Sequence, residues 1–170
     1  MTSLLGLFHT VIDFVLKGKS MKLTTKGRYA VTAVLDLALH SDCGPVALAE
    51  IAERQNLSVS YLEQLFSKLR RGSIVKAVKG PGGGYLLNRP TDQINMSELI
   101  DAVEERVDAT KCGGGTDCQR GLICLTHTLW QDLNTQVHGF LKSVTIASLM
   151  TEKTVLDVAS RQDNRVRQGL

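Results

Sequence analysis

The chain has 170 residues, 43% hydrophobic and 22% charged, with a formal net charge of +3. That length holds one compact domain, or a small domain plus an oligomerisation arm, and the composition is ordinary for a soluble globular protein. Four cysteines, one of them far from the other three, exclude a secreted disulfide scaffold and suit a reducing, cytoplasmic setting.

Charge is unevenly spread. Between Met21 and Pro90 ten basic residues face five acidic ones, a balance of +5. From Thr91 onward eight basic residues face eleven acidic ones, a balance of −3. A polyanion is therefore expected on the first half.

Residues 1–20 read as an extension, disordered or loosely helical. The apolar run from Leu4 to Leu16 is broken by His9, Thr10 and Asp13 and is too short to span a bilayer. No basic segment precedes it and no small-residue cleavage site follows, so membrane attachment and a signal peptide are not expected. Met21 would make a natural start.

From Thr24 the pattern turns helical. Tyr29, Ala30, Val34, Leu37, Ala38 and Ser41 follow helical spacing in a helix that runs to about His40, with Val31 and Leu35 widening the apolar face. Asp42-Cys43-Gly44-Pro45 ends this helix, and Cys43 is expected as a buried helix-end residue. Val46 to Gln55 is a second helix with Leu48, Ile51 and Ala52 inward. Asn56-Leu57-Ser58 forms a tight turn, and Ser58 caps a third helix, Val59 to Arg71, buried through Tyr61, Leu62, Leu65, Phe66 and Leu69.

Gly72 stops the third helix. Ile74 to Val78 and Tyr85 to Leu87 read as two strands around the turn-rich Lys79-Gly-Pro-Gly-Gly-Gly84. Asn95 or Ser97 starts a further helix through Leu99, Ile100 and Val103. Cys124 begins a long helical pattern, and Val155, Leu156 and Val158 suggest one more short turn. Residues 159–170 are polar and read as a disordered tail.

The expected fold is mostly α with a small β-hairpin wing. Residues 21–92 form a winged helix-turn-helix unit, with the helix-turn-helix at about 48–71 and the wing at about 74–87. Residues 93–123 are a connecting helix and loop, and 124–158 a long helix and a short one. The third helix is the candidate reader of double-stranded DNA. Ser58, Val59, Ser60 and Tyr61 lead it into the major groove, and Gln64 can pair with adenine one turn after Ser60. Glu63 can accept a hydrogen bond from cytosine but repels phosphate, so it is read as a discriminating residue. Lys68, Arg70 and Arg71 suit phosphates. In the wing, Lys76 and Lys79 supply charge, while Gly82 and Gly83 allow close approach to a nucleic-acid backbone.

Lys111 to Gly121 carries no apolar side chain and cannot build a core. Cys112, Cys118 and Cys124 are spaced with five residues between each pair, and His127 follows three after Cys124. Three thiolates and an imidazole suit zinc or an iron–sulfur cluster. The even spacing around glycines favours an object larger than one ion, a 2Fe–2S cluster. On a helix, Cys124 and His127 would share a face.

Lys22-Leu-Thr-Thr-Lys-Gly-Arg-Tyr-Ala-Val31, Ser60-Tyr-Leu-Glu-Gln-Leu-Phe66, Gly80-Pro-Gly-Gly-Gly-Tyr-Leu-Leu87 and the cysteine–histidine set resemble the IscR family of iron–sulfur cluster regulators. The likeness runs from Met21 to about Gln162, and residues 1–20 depart from it. It implies a homodimeric winged-helix transcription factor, not an enzyme, that holds a 2Fe–2S cluster through Cys112, Cys118, Cys124 and His127. It also implies repression and activation of genes for cluster biogenesis and iron–sulfur proteins, with the cluster assembly machinery as cluster donor. The stripe Leu129, Leu133, Val137, Phe140, Leu141 and Val144 fits the dimer contact, an intramolecular core being its alternative. Two other functions remain open at this point, a zinc-stabilised DNA-binding regulator and an iron–sulfur carrier.

Overall fold

The computed structural model describes residues 25–103, 115 and 122–169. The extension 1–20, Cys112 and Cys118 lie outside the described residues.

The first helix among the described residues, α1 (Thr25–His40), buries Ala30, Ala33, Val34 and Leu37 completely. Helix α2 (Leu48–Gln55) ends at Asn56, whose φ of 52° is left-handed, a conformation asparagine tolerates in tight turns. Three residues later α3 (Val59–Arg71) begins. The Ser58 hydroxyl accepts from the Tyr61 N–H at 3.2 Å and fixes the start of α3. Leu62, Leu65, Phe66 and Leu69 are then one apolar stripe, each at most 2% exposed.

Strands β1 (Val75–Val78) and β2 (Gly84–Leu87) pair antiparallel, Val75 opposite Leu87 and Val78 opposite Gly84. The Tyr85 ring packs edge-on to Phe66, with centroids 4.8 Å apart, and ties the hairpin to α3. A third stretch of backbone joins this sheet. Val46 exchanges both hydrogen bonds with Tyr85, at 3.0 and 2.8 Å. The sequence pattern assigns Val46 to the second helix, but it is an extended residue before α2.

Helix α4 (Met96–Val103) closes the core over α1 and α3. Helix α5 (His127–Ser143) returns to α4, and the following short α6 (Ile146–Met150) buries Ile146 against α1. Main-chain bonds Met96 N–H to Val144 O and Ile146 N–H to Ile94 O, both 3.0 Å, clamp the end of α5 to the start of α4. The last helix, α7 (Lys153–Arg167), lies against α2. The architecture is mostly helical with a two-stranded wing, as the sequence implies.

Three further expectations are corrected. Residues 159–167 are not a disordered tail but continue α7. That helix has few apolar residues and attaches through polar side chains, so low hydrophobicity misjudged it. Cys43 is exposed rather than buried, because the short turn Ser41–Cys43 carries it outward. The long helix starts at His127, not at Cys124. Cys124 lies in the preceding turn, its carbonyl accepting from the His127 N–H at 3.1 Å, so the two do not share a helical face.

Candidate functional site

Helix α3 presents its polar side outward because its apolar side is consumed by the core. Val59, Ser60, Glu63, Gln64, Arg70 and Arg71 are exposed. Ser60 and Gln64 are one turn apart on one face, as are Val59 and Glu63. Ser58 is exposed, but its hydroxyl is engaged as the cap. Tyr61 is half-buried, its ring edge-on to Tyr29 with centroids 5.9 Å apart. Lys68 departs from its expected phosphate role. Its Nζ donates to the Val103 carbonyl oxygen at 3.0 Å, at the end of α4. A lysine there favours the negative end of the helix and ties α4 to α3.

On the wing, Lys76 and Lys79 are exposed. Gly80 and Gly82, with φ of 108° and 72°, make the turn possible, and the Gly83 N–H closes it on the Gly80 carbonyl at 2.9 Å. Gly84 serves a different purpose, since a Cβ there would collide with the Val46 carbonyl oxygen. The Val46 bridge thus needs glycine. Its sequence signal is the Gly44-Pro45-Val46 stretch between two helices, which is too short to read as a strand.

The described half of the candidate ligand set sits at the head of α5. His127 is 7% exposed and Cys124 is partly exposed, a free thiol 3.9 Å from the Thr126 hydroxyl. A buried imidazole and a neighbouring soft thiolate donor are chemically suited to zinc or iron. Among the described residues no three His, Cys, Asp or Glu side chains converge on a metal-sized site. Cys112 and Cys118 are not among them.

A polar seam joins α7 to the first two helices, and no sequence pattern announces it. Asp36, only 3% exposed, takes Nη2 of Arg54 at 2.7 Å, Nε of Arg54 at 3.1 Å and the Gln55 amide at 2.6 Å. Burial by itself would lower the Arg54 pKa. The hydrogen bond and charge of Asp36, helped by Glu50 and Asp163, outweigh it and hold the guanidinium above its ordinary value. Gln55 and Gln162 exchange amide hydrogen bonds at 3.0 and 3.1 Å. Nε2 of His40 meets Asp163 at 3.1 Å, and Arg165 donates to the Arg54 carbonyl at 2.9 Å.

The Rrf2 family profile, described as iron-dependent transcriptional regulator, matches residues 23–152. The chain belongs to the Rrf2 family. A curated relative, the HTH-type transcriptional regulator IscR of Sodalis glossinidius, is 58% identical over 150 residues, covering 88% of this chain and 91% of the relative. The IscR of Serratia proteamaculans is 57% identical over 148 residues, covering 87% and 90%. Among solved structures, T. potens IscR superposes with a TM-score of 0.64 at 37% identity, over 76% of this chain and 85% of that one. CymR, the global cysteine regulator of B. subtilis, gives 0.66 at 33% identity, over 76% and 96%. This Rrf2 chain is thus a DNA-binding, winged-helix transcriptional regulator, not an enzyme. Among the described residues no helix is long and apolar enough to cross a membrane.

Proposed function

We propose that this Rrf2-family regulator senses iron–sulfur status as a cytoplasmic homodimer. It represses and activates genes for cluster biogenesis and for iron–sulfur proteins. Cys112, Cys118, Cys124 and His127 hold a 2Fe–2S cluster received from the cluster assembly machinery. The observation that carries this reading is the pairing of Cys124 with the buried His127 at the head of α5, in a chain 58% identical to an IscR. A bound cluster would supply a redox-active cross-link between that turn and residues 112–118.

The chain's own contacts link the ligand turn to the DNA face. Helix α5 rests on α4, where Nδ1 of His138 meets the Ser97 hydroxyl at 3.4 Å. Helix α4 packs on α3, and Lys68 of α3 holds the last carbonyl of α4. A displacement of the Cys124–His127 turn therefore bears on α3 through α4. The apolar stripe of α5 divides. Leu141 and Val144 pack against the core, whereas Leu129 and Phe140 are 60% and 67% exposed. That exposed face supports a second copy as its cover, and two copies present two recognition helices to a pseudo-palindromic site.

On DNA, Ser58, Val59, Ser60, Tyr61 and Gln64 enter the major groove. Glu63 discriminates among bases, while Arg70, Arg71 and the wing residues Lys76, Lys79, Gly82 and Gly83 meet the backbone. The test is site selection from a random DNA pool by anaerobically prepared protein and by a variant with Ala at all three cysteine positions. A red-brown protein containing iron and sulfide, with a site preference the variant lacks, is expected. A colourless zinc protein would instead support the zinc-stabilised regulator, and cluster transfer without site selection the carrier. Identical sites for both forms would sink the sensing role. Glu63→Ala should broaden the selected set of sequences, and unchanged selectivity would remove Glu63 from the readout.

A further inference from the structure

Helix α7 carries an electropositive end to the edge of the DNA face. Residues 91–152 hold four basic and nine acidic residues, a balance of −5. Residues 153–167 reverse the sign, with Lys153, Arg161, Arg165 and Arg167 against Asp157 and Asp163, a balance of +2. Asp163 is engaged by His40, and Asp157 lies one turn before Arg161 without pairing with it. Among the described residues no carboxylate lies within ion-pair distance of Arg161, Arg165 or Arg167. Arg161 and Arg165 are also one turn apart on one face, where like charges repel unless an anion lies over them.

The placement of this charge is specific. Arg165 donates to the Arg54 carbonyl, at the end of α2. The chain then makes the Asn56–Ser58 turn and enters α3, whose first residues read the groove. One N–H of Arg165 points inward, and a guanidinium has five. In helix-turn-helix proteins the groove beneath the start of the recognition helix is bordered by phosphates.

We infer that the last turns of α7, through Arg161, Arg165 and Arg167, form a further phosphate-contacting surface for double-stranded DNA beside the recognition helix. The inference rests on the reading of α3 and the wing as the DNA face. It adds sequence-independent affinity and extends the footprint without adding base contacts.

The test uses the full chain and a mixed-sequence duplex about three helical turns long, titrated by fluorescence anisotropy between about 50 and 200 mM salt. Among the described residues, Arg161→Gln/Arg167→Gln removes no side-chain hydrogen bond. For each phosphate left without its arginine, binding should weaken about tenfold at ~0.1 M salt, and the plot of log K against log salt should flatten by about 0.9. Its thermal unfolding midpoint should match wild type. Arg165→Lys should keep the wild-type slope and Arg165→Gln should not, which separates charge from the cap on α2. Lys76→Gln/Lys79→Gln reports on the wing in parallel. Wild-type affinity and slope in Arg161→Gln/Arg167→Gln, with weakened binding in the wing variant, overturns the α7 surface and leaves the wing reading standing. Silence in both variants overturns both.

Discussion

Helices α3 and α7 both dock on the same helical unit, by opposite means. Helix α3 inserts Leu62, Leu65, Phe66 and Leu69, all but lost to solvent, into a continuous apolar core. Helix α7 has no fully buried residue and is held by Gln162, Asp163 and Arg165 through hydrogen bonds. Apolar burial is strong and non-directional, so it fixes α3 as part of the folding unit. Net gains from hydrogen bonds are about 1 kcal/mol each, so α7 is oriented tightly but held weakly. The helix proposed to read DNA and the helix beside it are thus held by different interactions.

The contrast is sharpened most by Phe66→Ala. Removal of the ring between α3 and Tyr85 should cost about 3–5 kcal/mol in urea unfolding and abolish DNA binding with it. A cost below about 1 kcal/mol would show that α3 is not held by its apolar stripe. Asp36→Ala should cost about 3 kcal/mol, because the Arg54 and Gln55 donors lose a buried acceptor. Double-mutant cycles with Arg54→Ala should recover most of that as coupling. The Arg54 pKa is raised in the folded state, so its contribution is complete below the ordinary arginine range. It is lost only as pH rises through the raised value, and it is constant across neutral pH.

Gly84→Ala should cost about 2 kcal/mol by forcing the hairpin off Val46, and should weaken DNA binding through the displaced wing. Wild-type stability would mean that the Val46 bridge yields freely. Gln162→Ala should have the smallest effect, about 1 kcal/mol, confined to α7. Hydrogen exchange should quicken in α7 and stay unchanged in α3. Equal quickening in both helices would mean that α7 and α3 open as one unit.

Much of the reading unit was legible in the chain. Ser58 followed by apolar residues at helical spacing marks α3, and the glycine-rich tip marks the wing, because both signals are local. The cysteine–histidine set was legible as chemistry but not as geometry, since spacing suggested one helical face and the chain places Cys124 in a turn before His127. Lys68 shows a different limit. Its charge suggested phosphate, yet its position after Leu65 and before Leu69 lets it reach Val103, a residue 35 positions away in sequence.

By itself the sequence determined most of the apolar helices, the glycine-rich turn of the wing and which soft donor atoms the chain carries, because these follow from neighbours a few residues apart. Tertiary structure alone decided that Val46 joins the wing, that Lys68 turns inward, and that the polar residues after Ser160 form a helix against α2. Each depends on a directional hydrogen bond between residues distant in the chain, and such bonds leave no periodic trace in the order of amino acids.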